Sequence, residues 1–184
     1  MKKILFILGI GVMACLSACN DDDDENNAWE EYRAWYEENV AWYNNQKNIV
    51  DSETGLPFYE KVVPAWSSEQ SIYMHWFNDR SETAGNLVPD LTSTVGTYYK
   101  AYLIDGTLVD ESDNLSNKLL VSEVTGLIKG WQIALQNMHV GDSVQIIMPY
   151  YLGYGSSGAG KILPYSVLRF NMRLVDIPNY ETKP

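Results

Sequence analysis

Apolar and polar residues alternate along this chain with several different periods, and each change of period marks a new element. Lys2 and Lys3 precede an apolar run from Ile4 to Leu16, which gives way to the small residues before Cys19. The stretch "NDDDDENNA" follows without an apolar residue until Ala28. From Ala28 to about Asn48 the period becomes helical: Trp29, Tyr32, Tyr36, Val40 and Tyr43 fall on one face, with Trp35 and Trp42 beside them. Asn27 is placed to cap this helix, with Glu30 three residues on to complete a capping box. Residues 51–64 carry Gly55, Pro57 and Pro64 and read as a linker or irregular wrap. Ser71 to Phe77 reads as a strand that is apolar on both faces.

Beyond Pro89 the strand signals are stronger. Thr92 to Ile104 is rich in β-formers and ends at Asp105-Gly106, a strong hairpin-turn signal. Lys118 to Val124 is a second candidate strand. Leu127 to Met138 predicts one short helix with Trp131, Leu135 and Met138 a turn apart, stopped by Gly141. Ser143–Met148 and Ser166–Ile177 complete the strands, the last with Leu168, Phe170, Met172 and Leu174 at every second position. Strands with hairpin turns and one short helix predict an α+β fold, an antiparallel β-sheet wrapped around that helix, with the N-terminal amphipathic helix outside it.

Two basic residues, an apolar segment too short to span a bilayer and a small-residue exit predict a secretory signal over residues 1–18. Leu16-Ser17-Ala18-Cys19 resembles the bacterial lipobox, which implies a lipid on Cys19; ordinary cleavage with Cys19 as bystander is the competing reading. The acidic run over 19–27 reads as a solvated, self-repelling tether. The chain carries a formal charge of −11 at pH 7, and loss of Lys2 and Lys3 with the signal makes it more acidic. This excludes nucleic acid and an anionic membrane surface as charge-driven partners, leaving the lipid to hold the protein to the cell envelope, at the outer membrane.

The glycine cluster "GSSGAGKI" at 155–162 superficially matches a phosphate-binding loop. Ile162 stands where a Ser or Thr must hold magnesium, and the following alternation is that of a strand, so no helix N-terminus is available to a phosphate. His75 and His139 lie apart from any cluster of Cys or carboxylates at ligand spacing, and no Ser, His and acid arrangement suggests a triad. No cofactor is expected.

Five blocks, "YKAYLIDGTLVDES" at 99–112, "LIKGW" at 127–131, "ALQNMHVGD" at 134–142, "MPYYLGYG" at 148–155 and "ILPYSVLRFNMRLVDI" at 162–177, together resemble the FKBP-type peptidyl-prolyl cis-trans isomerases, in that family's order and near its spacing. The resemblance covers roughly residues 92–177 and implies a loop, rich in glycine, overhanging a pocket for a proline ring. It implies Trp131 as the pocket floor, Tyr99 and Phe170 as aromatic walls, and Leu127 and Ile128 as the adjoining apolar wall, with the Ile128 backbone N–H facing ligand. Tyr154 matches the tyrosine that reaches the substrate carbonyl, Asp110 the carboxylate near the twisting amide, Val109 a wall position usually held by Phe, and Ile162 the apolar residue of the overhanging loop. Another wall aromatic, expected near 118–120, meets Lys118, Leu119 and Leu120. The implied partners are proline-containing polypeptides.

The resulting layout is a signal peptide over 1–18, a tether over 19–27, an aromatic helix over 28–50, a linker with an additional strand over 51–91, the isomerase-like domain over 92–178 and a tail over 179–184. Three functions compete: an isomerase for exported proteins, a non-catalytic binding module of the same fold, and a surface binder that stacks its Trp and Tyr residues on sugars. The helix face has three possible uses: packing against its own chain, forming a dimer seam, or stacking on glycans. Oligomeric state is left open.

Overall fold

The computed structural model describes residues 22–178, with side chains from residue 29 onward. The expected signal peptide, Cys19 and the tail over 179–184 lie outside the described residues. The ordered elements are α1 (Asp22–Asn45), β1 (Glu60–Val62), β2 (Ile72–Trp76), β3 (Thr94–Tyr102), β4 (Leu108–Glu111), β5 (Leu120–Glu123), α2 (Lys129–Leu135), β6 (Ser143–Met148) and β7 (Leu168–Asp176). All strand pairings are antiparallel, in the order β1-β2-β6-β7-β3-β4, with β5 also on β3. The outer edge of β3 is divided. Its first half, Thr94–Thr97, pairs with β5, and its last three residues pair with β4.

The period-2 alternation sorts the sheet into two faces. Ile72 and Met74 of β2, Val144, Ile146 and Met148 of β6, and Leu168, Phe170, Met172 and Leu174 of β7 are buried in one core with Trp131, Ile133, Ala134 and Leu135 of α2. Gly130 permits this close approach, because a Cβ there would lie 2.9 Å from Met148 Cβ and nearer still to its sulfur. On the opposite face Tyr73 and Ile147 join Tyr59 and Val167 in a second cluster, against which Trp42 and Tyr43 of α1 pack. That second cover explains why β2 is apolar on both sides.

From Tyr32 onward α1 belongs to the same compact unit as the sheet and docks on it in cis. The most buried position of the docked face is polar: Asn39 is 0% exposed. Its Nδ2 donates to Trp35 O at 2.8 Å and its Oδ1 accepts the Val167 N–H at 2.8 Å. Gln46, also buried, donates to Trp42 O, and the Tyr43 hydroxyl donates to Ser71 O at 2.8 Å.

Several boundaries differ from the sequence expectation. Helix α1 spans Asp22–Asn45, so residues 22–27 are helical rather than an extended tether, and Asn27 lies within the helix rather than capping it. Helix α2 is shorter than Leu127–Met138, because a 3-10 turn at Val124–Gly126 leaves Leu127 and Ile128 extended, with ψ of 162° and 150°. Gly141 does not cap it either. With φ of +99° it turns the chain into β6, six residues after the helix ends, and donates to Leu174 O. Strands β1 and β4 are too short for their alternation to show, although the Asp105-Gly106 turn joins β3 to β4 as expected, with Gly106 at φ +89°.

Candidate functional site

Where β3, β4, β5, β7 and the start of α2 meet the loop after β6, a cavity of about 240 Å³ opens. Its lining is Tyr99, Asp110, Leu120, Gly126, Leu127, Ile128, Trp131, Tyr154 and Phe170. Trp131 is 3% exposed and forms the base. The Tyr99 and Phe170 rings stand nearly perpendicular or tilted to one another around it, with Trp131 centroid separations of 5.2 Å to Tyr99 and 5.3 Å to Phe170. Such edge contacts favour a fixed aromatic box over a stack. The Trp131 indole N–H is buried and has no acceptor among the described residues.

Asp110 is held from two sides. The Tyr99 hydroxyl donates to Oδ2 at 2.7 Å, and the Glu111 N–H donates to Oδ1 at 2.8 Å. Burial, with Asp110 as neighbour, pushes the Tyr99 hydroxyl well above the ordinary tyrosine value. Burial and the Asp110 charge push Tyr154 in the same direction. Both phenols therefore keep their protons through the neutral range. Across from Asp110, Tyr154 is 37% exposed, and among the described residues its hydroxyl has no hydrogen-bond partner. The Ile128 carbonyl accepts from Trp131 and Gln132 at the first turn of α2, whereas its N–H finds no acceptor among the described residues. The site thus offers an apolar floor, one fixed carboxylate and two donors open to a ligand carbonyl.

The structure gathers Tyr99, Asp110, Leu127, Ile128, Trp131, Tyr154 and Phe170 around one space, as the sequence resemblance implies. It does not place Val109 or Ile162 there. Strand β4 pairs Asp110 with Ala101 and Leu108 with Tyr102, so Val109 is the extra residue of a bulge, and its side chain packs against the main core. Ile162, 8% exposed, is a core residue drawn inward by the turn in which Ala159 and Ile162 exchange backbone hydrogen bonds. Leu120 lines the cavity at the position where the wall aromatic was expected. The role of Tyr99 as donor to Asp110 was also missed, since nothing in a sequence ties residues 99 and 110 except an antiparallel register. The glycine cluster serves the loop: Gly155, Gly158 and Gly160 all have φ between +55° and +66°, and a Cβ on Gly158 would collide with the Ile162 carbonyl.

Outside the cavity, the fully buried Asp142 gathers a polar hub at the α2–β6 turn. Thr83 Oγ1 and Asn78 Nδ2 donate to Oδ1 at 2.5 and 3.1 Å, and the His139 N–H to Oδ2 at 2.8 Å, with Arg80 at 3.6 Å. Burial alone would raise its pKa. The hydrogen bonds and Arg80 outweigh it and hold the carboxyl below the ordinary aspartate value.

Comparison with known proteins agrees with this geometry. The FKBP-type peptidyl-prolyl cis-trans isomerase pattern matches residues 86–175. The chain is 37% identical over 178 residues to the macrophage infectivity potentiator of Trypanosoma cruzi, covering 96% of this chain and 83% of that one. It is 30% identical over 145 residues to the FKBP-type peptidyl-prolyl cis-trans isomerase FkpA of Escherichia coli, covering 77% of this chain but only 46% of FkpA. The crystal structure of a peptidyl-prolyl cis-trans isomerase from Pseudomonas syringae shares the fold, with a TM-score of 0.62 at 23% identity over 79% of this chain and 94% of that one.

Proposed function

The chain belongs to the family of FKBP-type peptidyl-prolyl cis-trans isomerases, and on that footing we propose that it turns Xaa-Pro bonds of exported polypeptides in the cavity above Trp131. The observation that carries this reading is an aromatic-lined cavity with a fixed carboxylate on one wall and, on another, a phenol whose hydroxyl has no hydrogen-bond partner among the described residues.

Rotation about a peptide C–N bond is opposed by about 18–20 kcal/mol because resonance stiffens it. The planar amide is the more polar state, and water stabilises its charge separation. Seating proline over Trp131, between Tyr99 and Phe170, strips that water away. The twisted amide, with a less polar carbonyl, loses less by the transfer, and the site therefore binds it preferentially. The Tyr154 hydroxyl and the Ile128 N–H supply donors that hold the flanking carbonyls, and Asp110 faces the nitrogen as it becomes pyramidal. Protonation of Tyr99 keeps its hydrogen bond to Asp110, so the carboxylate holds its orientation across neutral pH. No covalent step is needed.

In the same reading residues 92–178 are the isomerase domain, residues 1–18 a signal removed on export, and Cys19 the acylated residue that anchors the protein at the outer membrane. A non-catalytic chaperone or binding module is favoured by the loss of aromatic wall, with Leu120 in the cavity lining and Val109 at a position that the family usually fills with Phe. An isomerisation assay on the full chain with a panel of Xaa-Pro peptides separates the two. Activity is expected, falling about 10-fold or more in Asp110→Ala and severalfold in Tyr154→Phe. Peptide binding without turnover in the folded protein would establish the binding module instead.

A further inference from the structure

Helix α1 reaches the catalytic cavity indirectly, through the loop between β6 and β7 that carries Tyr154. The Tyr36 ring stands edge-on to Tyr150 and to Tyr165, 5.7 Å from each centroid, and those two rings lie 5.4 Å apart. Tyr150 opens the loop and Tyr165 nearly closes it. Next to Tyr165, the Trp35 indole N–H donates to Ser166 Oγ at 3.1 Å, and the Val167 N–H donates to Asn39 Oδ1 at 2.8 Å. Both ends of the loop are thus held by consecutive turns of one helix.

Inside the loop the same residues are joined through the backbone. Gly155 N–H donates to Tyr150 O and Tyr165 N–H donates to Gly155 O, each at 2.9 Å. Tyr36 therefore buttresses the two residues whose hydrogen bonds meet at Gly155, and Gly155 is the neighbour of Tyr154. Asp110 is fixed by its own hydrogen bonds, whereas the Tyr154 hydroxyl has no partner among the described residues to hold it. Its position depends on the loop backbone, and three glycines at positive φ give that backbone little stiffness of its own.

We propose that α1 is a clamp on the catalytic loop, with Tyr36 and Asn39 as positioning residues that set Tyr154 opposite Asp110. The catalytic consequence rests on the isomerase reading above; the mechanical one does not. The clamp makes the N-terminal helix part of the active-site scaffold, so that pulling α1 off the sheet slackens one wall of the cavity and leaves the other in place.

A double-mutant cycle on the full chain tests this. Tyr36→Ala and Asn39→Ala are each expected to lower kcat/KM about fivefold in the wild-type background and less than about twofold in a Tyr154→Phe background, where there is no hydroxyl left to position. Tyr36→Phe, which keeps the ring contacts, should stay near wild type. Amide hydrogen exchange at Gly155 and Tyr165 is read on the same proteins and should speed up about 10-fold in Tyr36→Ala. If Tyr36→Ala does not fold, Tyr36→Leu keeps the apolar bulk and takes its place. Equal losses in both backgrounds, or unchanged exchange at those two amides, would overturn the clamp. Should the wild-type chain turn over no Xaa-Pro peptide, the isomerase reading fails, and the exchange measurement still decides whether α1 holds the loop.

Discussion

The two walls of the cavity are built by different means. One stands on regular structure: Asp110 on β4 is braced by Tyr99 on β3, Phe170 sits mid-strand on β7, and Trp131 is locked into the core by α2. The other hangs on a glycine-containing loop whose hydroxyl-bearing residue, Tyr154, is placed by contacts from α1 on the far side of the sheet. A strand-built wall is over-determined, because each side chain is held by ladder hydrogen bonds and by packing at once. A loop-built wall has only its anchors.

The contrast can be broken most severely from the fixed side. Trp131→Ala should cost about 3–5 kcal/mol in urea denaturation, the range for emptying a buried aromatic site; a loss under about 1 kcal/mol would mean that the floor is not part of the core. Asp142→Ala, which removes the buried carboxylate that accepts from Thr83, Asn78 and the His139 N–H and faces Arg80, should cost about 3 kcal/mol. The hub also predicts a pH dependence. The Asp142 pKa is depressed on folding, so its contribution is complete above the unfolded value of 3.8 and disappears as pH falls through the lower folded value. Asp142→Asn should flatten the acid limb of the stability curve below about pH 4, and an unaltered limb would place the acid sensitivity elsewhere.

On the hung side the effects on stability shrink while those on activity persist. Asn39→Ala strands the buried Val167 N–H and should lower stability by about 1–2 kcal/mol, read as a fall in melting temperature. Tyr154→Phe should change stability by no more than about 0.5 kcal/mol and still lower turnover, a combination that the braced Tyr99→Phe should not show, because losing the bond to Asp110 affects fold and site together.

Much of the sheet was legible because alternation is local. Ser143–Met148 was readable to its ends, and the even positions 168–174 of the last strand announced their burial one residue at a time. Strands β1 and β4 were not legible, since three or four residues cannot display a period. The docked face of α1 shows in the sequence as a stripe of aromatics, but its most buried residue is Asn39, which accepts a hydrogen bond from Val167, just before β7 and 128 positions away. The cavity lining came mostly from family-like blocks. Val109 and Ile162 are not in that lining; Val109 is the extra residue of a bulge in β4 and Ile162 closes a tight turn, features that no spacing records.

What the sequence determined by itself was everything carried by neighbours along the chain: the core-facing positions of the long strands, the turn at Asp105-Gly106, the amphipathic character of the first helix, and the glycines that let the loop after β6 double back. Only the tertiary structure decided which partner each of those surfaces meets. Tyr99 finds Asp110 through the register of two strands, β2 needs two apolar faces because helices lie on both sides of the sheet, and Tyr154 acquires its place from a helix at the other end of the sequence. Periodicity reports the conformation of a segment, whereas a contact between distant segments depends on register and packing that no single segment encodes.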